Sequence, residues 1–414
     1  MTVTTPVTRD RDGSQNTFAI VSSNFEGNSV GDPGRRRAMH ATMTGIGPAF
    51  CCGKSATSPS PRTASSSTRT RRHLACAAGS APRRKDQAAH RNIRRPVQYG
   101  IEIASSPENP QKYAEGAPSG ELRVVCWNVE HNGRGRSGSE DNRRLAHSIL
   151  AGYQPHIVFR QELTGAWENG RHDLYEEASA LGGLIPVMSA PKEGRSRNPV
   201  GVMVDPQLFQ IDTHTDHDLP WKQICHVQVC LKGCPKPIQL ASAHLCHFDP
   251  TMRATEARRL TVLADHGGTA LIGMDANSYP YRTRDEITEP LDWDQVDDAV
   301  HFEHRTIERD GRRVSDTRPS EILSGGKGIF TDLAHHAGTV LKQPGALAAT
   351  ASLKRKDQGP PQRIDVVFGT PDLTPALRSF EAVATPDVRR VSDHALLVAR
   401  FDLAVLHRIL TATH

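Results

Sequence analysis

From Glu121 almost to the C-terminus, short runs of β-branched and other apolar residues alternate with helical stretches and turn signals. This alternation is the pattern of a layered α/β domain. The sequence predicts strands over Leu122–Val129, His156–Glu162, Leu184–Ser189, Val200–Val204, Ile224–Cys230, Ile238–Leu245, Ala270–Met274, Ile364–Phe368 and Ala395–Phe401. The turn between Ile224–Cys230 and Ile238–Leu245 is short, which favours antiparallel pairing and argues against a doubly wound parallel sheet.

Three helices are predicted between these strands. The residues from Asn142 to Gly152 form one amphipathic pattern. A second helix follows Asp249, a suitable capping residue, with Pro250 at its first position. The stretch from Pro280 to Pro361 is polar and the hardest to interpret, with a third helix predicted over Ile329–Ala334.

Residues 1–120 differ in composition from the rest of the chain, because they are rich in Ser, Arg and Pro and poor in branched apolar residues. They hold 17 of the 51 Lys and Arg and 8 of the 46 Asp and Glu, so the remainder has 34 basic and 38 acidic residues. The alkaline pI therefore belongs to this leader and is weak evidence for nucleic acid. We expect the leader to be disordered, because it cannot bury enough surface to offset its ordering entropy. A transit peptide and a true start further downstream remain alternatives.

The predicted division is a disordered extension over 1–120, one domain over 121–403 and a C-terminal tail over 404–414.

No run of about 18 apolar residues occurs, so no membrane span is expected. Eight cysteines in 414 residues do not make a dense disulfide framework, and a reduced cytoplasmic protein is the default expectation. A monomer is the default oligomeric state.

Isolated acids, amides and histidines follow directly on the apolar runs. A single acid at a strand end is more often a turn or capping residue than a ligand. Several carboxylates on one rim of a compact domain would repel one another unless a cation lay among them. Oxygen-rich ligation without cysteine favours Mg²⁺, or Mn²⁺, over Zn²⁺. The candidate residues are Asn128, Glu130, Glu162, His244, Asp275, Asn277, Asp365, Asp393 and His394.

Six of these strand-end segments, in this order, resemble the motifs of the endonuclease/exonuclease/phosphatase superfamily, and together they cover 121–403. The segments are Leu-Arg-Val-Val-Cys-Trp-Asn-Val-Glu130, Val-Phe-Arg-Gln-Glu162, Ser-Ala-His-Leu245, Gly-Met-Asp-Ala-Asn277, Arg-Ile-Asp365 and Ser-Asp-His394. The resemblance implies a four-layer α/β/β/α sandwich of two mixed, mostly antiparallel sheets, with the site at one edge. It also implies a divalent-metal-dependent phosphoesterase.

The resemblance also implies individual roles. Glu162 is similar to the main metal ligand, with Asn128, Glu130 and Asp393 close to the metal or the phosphate. Asp275 and Asn277 are similar to the pair that orients the attacking water and contacts the phosphate.

Both histidines have counterparts in the family as well. His394 is similar to the histidine that contacts the scissile phosphate, and Asp365 to the carboxylate that holds it. His244 is similar to a histidine that protonates the leaving oxygen. Tyr279 or Arg282 could supply a further phosphate contact.

The substrate stays open at this stage. A nuclease acting on DNA or RNA is the preferred interpretation. The alternatives are a phosphatase or a phospholipase- or sphingomyelinase-like esterase on a small or lipid phosphate, and an inactive binding module with the same fold.

A structural Zn²⁺ site is one interpretation of the hairpin that follows Ile224. The spacing of its potential ligands is irregular, which favours free thiols over bound metal. The potential ligands are Cys225, His226, Cys230, Cys234, Cys246 and His247.

Overall fold

The computed structural model describes residues 120–134, 141–281, 291–354 and 358–412, and a short antiparallel pairing of Thr8–Arg9 with Gln15–Asn16. The chain divides into two units, Met1–Tyr99 and Gly100–His414. The prediction of a disordered leader, with its alternatives, otherwise lies outside the described residues. All that follows concerns the second unit.

Fourteen strands are described in this unit. In chain order they are β1 (Glu121–Asn128), β2 (Ile157–Gln161), β3 (Ile185–Met188), β4 (Gly201–Val204), β5 (Phe209–His217), β6 (Ile224–Leu231), β7 (Ile238–His244), β8 (Thr269–Asp275), β9 (Thr306–Arg309), β10 (Arg312–Ser315), β11 (Thr331–Asp332), β12 (Asp365–Gly369), β13 (Leu377–Val383) and β14 (Leu396–Asp402).

These strands form two six-stranded mixed sheets and a separate β9–β10 hairpin. The first sheet has the order β13-β14-β1-β2-β4-β3, and the second has the order β11-β12-β8-β7-β6-β5. Each sheet contains one parallel pair, β1–β2 in the first and β7–β8 in the second, while the other neighbours are antiparallel. The predicted antiparallel pairing of the strands now labelled β6 and β7 is confirmed.

Helices cover the outer faces of the sheets. In chain order they are α1 (Arg143–Gly152), α2 (His172–Ala180), α3 (Pro250–Leu260), α4 (Ala299–Arg305), α5 (Arg318–Ser324), α6 (Leu333–Thr339), α7 (Pro386–Val391) and α8 (Leu403–Thr411). Short 3-10 helices span Glu130–Gly133, Asn169–Arg171, Thr261–Gly267, Trp293–Gln295, Pro344–Leu347 and Pro371–Ala376. In the described part of the chain, no helix is both long and apolar enough to cross a bilayer.

Three hydrophobic clusters mark the layers of the fold. The inner cluster joins residues of the two sheets, such as Phe159 of β2 and Val227 of β6. A second cluster packs α1, α2 and α7 on the outer face of the first sheet, and a third packs α3 on the second sheet. The central strands are buried on both faces, so their sequences read as continuous apolar runs. The predicted four-layer sandwich is confirmed.

The structure corrects the prediction near Ile329. The predicted helix over Ile329–Ala334 is wrong: the chain first forms the short strand β11, and α6 begins only at Leu333. Asp332 caps α6 by accepting hydrogen bonds from the N–H groups of Ala334 and His335. The first residues of the predicted helix, Ile329 and Phe330, therefore lie in the segment that precedes β11 and α6.

The C-terminal segment, which we expected to be a tail, forms α8. Leu403, Leu406 and Leu410 of this helix are buried in the inner cluster. Asp402 caps it by accepting from the Val405 N–H at 2.8 Å. The helix therefore contributes to the core between the two sheets.

Candidate active site

Strand register brings three of the predicted residues side by side. Asp275 at the end of β8 pairs with His244 at the end of the parallel strand β7. On its other side, Asp275 pairs with Asp365 at the start of the antiparallel strand β12. Asn128 ends β1 in the facing sheet. The rim where the two sheets meet therefore collects residues from four separate motifs.

Asp275 is the centre of this arrangement. Its Oδ2 accepts a hydrogen bond from Asn128 Nδ2 at 2.9 Å, and His244 Nε2 lies 3.2 Å from the same oxygen. His394 Nε2 is 3.9 Å away. The other carboxylate oxygen of Asp275, Oδ1, accepts a hydrogen bond from the backbone N–H of Asn277 at 2.9 Å. Asp275 is thus a buried carboxylate with donors on several sides.

His394 is held by its other ring nitrogen. Nδ1 lies 3.0 and 2.9 Å from the two carboxylate oxygens of Asp365. The Thr350 hydroxyl accepts from the Asp365 N–H at 2.9 Å, which fixes the start of β12. Trp127 Nε1 donates to the His394 carbonyl at 3.1 Å. His394 therefore presents Nε2 towards Asp275 and Asp393.

Ser392 ties the loop that carries His394 to β1. Its hydroxyl donates to the Asn128 carbonyl at 2.7 Å and accepts from the His394 N–H at 3.1 Å. The serine of the Ser-Asp-His motif therefore has a positioning role that the sequence did not indicate.

The surroundings push the pKa values of these groups apart. Burial would raise the pKa of Asp275, but His244, His394 and other donors lower it well below its usual value. Burial would lower the pKa of His394, but the carboxylates of Asp365 and Asp275 raise it well above its usual value. Burial raises the pKa of Asp365 to about 6 against the opposing effect of His394. Burial and Lys222 lower the pKa of His244.

Glu162 follows β2 with a left-handed backbone, φ 57°. Such a φ is uncommon outside glycine and often marks a functional position. Its Oε2 accepts from the His131 N–H at 2.8 Å. Burial would raise its pKa, but His244, this hydrogen bond and Lys222 lower it overall. Glu162 is thus held as a carboxylate.

A polar cavity of about 280 Å³ joins these groups. Its lining includes six of the nine candidate residues. The lining residues are Glu162, Ser196, Asn198, Lys222, His244, His247, Asp275, Asn277, Arg305, Ala351, Ser352, Gln358, Ile364, Asp393 and His394.

Four predicted positions of the described chain are not among the lining residues: Asn128, Glu130, Asp365 and Tyr279. Glu130 is not among the lining residues of the described chain, and its carboxylate lies 3.9 Å from Lys354 Nζ. Tyr279 is buried and lines a separate cavity of about 490 Å³ with Trp293. Arg282 lies outside the described residues.

Two cationic side chains at the cavity were missed by the sequence interpretation. Lys222 is buried at the cavity, and burial lowers its pKa to about 8 against the opposing effect of Asp275 and Glu162. Arg305 ends α4 and donates to the Asn277 carbonyl. Neither residue follows an apolar strand in a recognisable motif, so no local signal marks them.

The residues present fit a divalent cation. Asn128 Oδ1 is buried and has no hydrogen-bond partner in the described part of the chain. Asn128 is hydrogen-bonded to Asp275, which lines the cavity, and Glu162 and Asp393 offer carboxylates there. These are hard oxygen donors of the kind that Mg²⁺ takes in proteins.

The six potential zinc ligands near the hairpin do not form a common cluster in the described part of the chain. Cys230 Sγ contacts Asp212, and Cys234 Sγ contacts the His407 carbonyl of α8. The five cysteines in the described regions are free thiols.

No protein-family model matches the chain, and no curated protein matches it. Similar solved structures include D. rerio TDP2 complexed with a single-strand DNA product, with 15% identity, TM-score 0.47, and coverage of 68% of this chain and 99% of that one. An endonuclease/exonuclease/phosphatase from Bacteroides vulgatus has 13% identity, TM-score 0.48 and the same coverage.

The human Nocturnin catalytic domain with bound sulfate has 14% identity and TM-score 0.48, covering 68% of this chain and 93% of that one. At these identities and TM-scores the likeness supports no argument about activity. Of these three structures, the Bacteroides vulgatus protein is the one described as an endonuclease/exonuclease/phosphatase.

Proposed function

We propose that the protein is a divalent-metal-dependent phosphoesterase that hydrolyses phosphodiester bonds, with nucleic acid as the preferred substrate. The observation that carries the proposal is the Asp275 carboxylate, held between His394 and His244 beside a cavity that also contains Glu162 and Asp393. Neighbouring groups whose pKa values are pushed apart are the usual basis of acid and base assignments.

Asp275 serves as the acceptor for the attacking water. Its low pKa keeps it ionised, and the N–H groups of Asn128 and Asn277 fix its two oxygens. A fixed carboxylate at the rim can orient a water and accept its hydrogen bond.

His394 serves as the cationic donor to the phosphate. Asp365 engages Nδ1, so the proton on Nε2 is free to face a phosphate oxygen. The raised pKa keeps the imidazole charged at neutral pH. Donors aimed at developing charge contribute strongly to catalysis.

His244 differs from His394 because its pKa is lowered, so it is neutral at pH 7. A neutral His244 donates from Nε2 to Asp275 and positions that carboxylate. Lys222, with a pKa near 8, is a second proton source at the cavity for the departing oxygen.

A divalent cation, when bound, supplies charge neutralisation at the phosphate and leaving oxygens. Glu162 and Asp393, with Asn128, would hold it. Mg²⁺ or Mn²⁺ suits this oxygen donor set.

Aromatic rings beside the cavity support a nucleotide substrate. The rings of Trp221 and Phe248 meet edge to face at 5.0 Å, and His247, which lines the cavity, lies 5.2 Å from Phe248. Rings near a phosphate site can stack on bases, and Arg305 adds positive charge. The excess of acidic residues after 120 counts against a long phosphate-tracking groove, so a small or lipid phosphate is the second candidate.

The test is hydrolysis of plasmid DNA, RNA and a bis-aryl phosphodiester with Mg²⁺, Mn²⁺ or EDTA. We expect metal-dependent cleavage, and a loss of about 10²-fold or more in kcat for Asp275→Asn and for His394→Gln. His266→Gln is the matched control, because that side chain is 94% exposed and outside the cavity.

Two outcomes contradict the proposal: no cleavage with any metal, which would leave an inactive binding module, and cleavage that both site variants retain. Cleavage of the small diester alone would refute the nuclease part and favour the phosphatase or lipid-phosphate alternative.

A further inference from the structure

Three potential metal ligands converge at the β5 edge of the second sheet, and none of them lines the candidate active site. They are His214 and Asp216 on β5 and Cys225 on β6. His214 Nε2 lies 3.0 Å from Asp216 Oδ1 and 3.8 Å from Cys225 Sγ. All three donor atoms lie within 4.8 Å of one another.

Strand register creates this cluster. The pairing of β5 with β6 shifts between Ile211 and Thr213, and after the shift Asp216 lies opposite Cys225. His214, two residues earlier, lies opposite Val227 and so shares the same face of the hairpin. Cys225 and Val227 belong to the inner cluster, so polar groups of an edge strand face the space between the sheets.

The geometry favours a shared ion over a hydrogen-bonded relay. A histidine that relays a proton between a thiol and a carboxylate uses both ring nitrogens. Here the single atom Nε2 of His214 faces both Asp216 and Cys225. A neutral imidazole nitrogen has only one proton or one lone pair to offer, so it can serve only one of the two partners. In the absence of a metal, the Cys225 thiol can donate instead to the Val187 carbonyl at 3.7 Å, and metal binding would replace that contact.

The separations suit a tetrahedral metal. Zinc binds imidazole nitrogen at about 2.0 Å and thiolate at about 2.3 Å, which puts tetrahedral ligands about 3.3–3.6 Å apart. The observed 3.0 and 3.8 Å lie within a few tenths of an ångström of that range. Small side-chain adjustments would accommodate an ion.

One of the ligands is held by a backbone hydrogen bond, and two of them are accessible to an ion from solvent. Asp216 Oδ2 accepts from the Ala190 N–H at 3.0 Å, which leaves Oδ1 for the ion. The side chains of His214 and Asp216 are 36% and 23% exposed, so an ion and a water as fourth ligand can enter from solvent. Cys225 is fully buried and supplies the soft donor.

We propose that His214, Asp216 and Cys225 form a Zn²⁺ site that joins the edge strand β5 to β6. Binding converts the protonated Cys225 thiol into a zinc-bound thiolate and releases one proton to solvent. The site shares only Cys225 with the ligand set considered from the sequence, and it is independent of the proposed phosphoesterase activity.

An edge strand with inward-pointing charged groups also resists pairing with other strands. That role accounts for His214 and Asp216 without a metal. It does not by itself require Cys225 Sγ to lie within 4.8 Å of the donor atoms of both His214 and Asp216.

The test uses the full chain, stripped with a chelator and titrated with Co²⁺ in excess Mg²⁺. We expect one equivalent to give thiolate-to-cobalt charge-transfer absorption, which an oxygen-rich site cannot produce, and Zn²⁺ to displace it. Cys225→Ser should abolish this absorption, and His214→Gln should weaken binding at least about tenfold. Cys230→Ser, on the same strand but outside the cluster, is the matched control.

Zn²⁺ should also raise the thermal unfolding midpoint of the wild type and of Cys230→Ser, but not that of Cys225→Ser. If Cys225→Ser does not fold, His214→Gln and Asp216→Asn decide the question. The proposal is overturned if the wild type gives no thiolate absorption, or if the absorption persists unchanged in the cluster variants.

Discussion

At the scale of single residues, His394 and His244 lie on either side of Asp275 and are driven to opposite protonation states. His394 also faces Asp365, which stabilises its charged form. His244 is buried near the cation Lys222, which disfavours its charged form. The two imidazoles have similar sequence contexts, because His244 follows Ser-Ala and His394 follows Ser-Asp. Their difference comes from neighbours that are distant in the chain.

A third histidine gives a prediction for stability. Burial, His226 and Arg259 lower the pKa of His217 to about 4. Its Nε2 lies 3.0 Å from His226 Nδ1, and Arg259 donates to its Nδ1 at 2.9 Å. Between pH 6.5 and 4 the unfolded chain binds a proton that the folded protein does not, so stability falls as pH falls through this window.

We expect His217 to contribute about 1–2 kcal/mol to this loss, after allowance for solvent screening at the sheet edge. Urea unfolding of metal-free protein at pH 7.5 and pH 5 measures it. His217→Gln should show a smaller drop in the free energy of unfolding than the wild type, and the exposed His266→Gln should match the wild type. Equal drops in all three proteins would contradict the prediction.

At the scale of elements, α3 connects the His244 strand to the Asp275 strand. Its first turn was predicted from Asp249 and Pro250, and it forms as expected. Further along, Glu256 accepts from the Cys246 N–H at 2.6 Å, and Arg253 donates to the Cys246 carbonyl at 2.7 Å. The helix therefore holds the chain just beyond His244.

The Asp249 cap supplies a prediction at this scale. Its Oδ1 accepts from the N–H groups of Thr251 at 2.7 Å and Met252 at 3.1 Å. Asp249→Ala should lower the free energy of unfolding by about 1 kcal/mol, and Asp249→Ser should retain most of it. Urea unfolding at neutral pH distinguishes the two. A serine variant as unstable as the alanine variant would show that capping is not the cause.

Edge elements were the hardest to predict. β5 has four exposed residues in a row, 212–215, and its sequence, Phe-Gln-Ile-Asp-Thr-His-Thr-Asp-His, has too few apolar residues to suggest a strand. β13 and the β9–β10 hairpin were missed for a similar reason. An edge strand needs only one partner and one apolar face, so its sequence pattern is weak.

At the scale of the whole molecule, the two sheets are in close contact where β8 crosses β2. A Cβ atom on Gly273 would lie 2.4 Å from the Phe159 ring. Gln161 bridges the same interface by donating to Ser242 Oγ at 3.0 Å. Gly273 therefore sets the approach of the sheets, only two residues from Asp275.

Gly273→Ala should destabilise the fold by about 1–3 kcal/mol, because the added methyl group overlaps the buried Phe159 ring. Gly152→Ala is the matched control, since nothing lies within 4 Å of its added Cβ. A double variant with Phe159→Leu should cost less than the sum of the single changes. Thermal or urea unfolding of the four variants tests this, and an unchanged Gly273→Ala protein would contradict it.

The sequence by itself determined the layered α/β class, most central strands and which polar residues end them. These are local properties, because a buried strand needs a continuous apolar run and its end is marked by the next polar residue. The strand-end residues were therefore visible before any contact was known.

Only the tertiary structure decided which of those residues meet. The Asn128–Asp275 hydrogen bond spans 147 positions, and the Asp365–His394 pair joins β12 of the second sheet to the loop before β14 of the first sheet. The tertiary structure also places Lys222 and Arg305 at the cavity and Glu130 beside Lys354. It brings His214 and Asp216 close to Cys225. Such contacts depend on register and sheet packing, which are fixed by interactions across the whole fold and not by any local pattern.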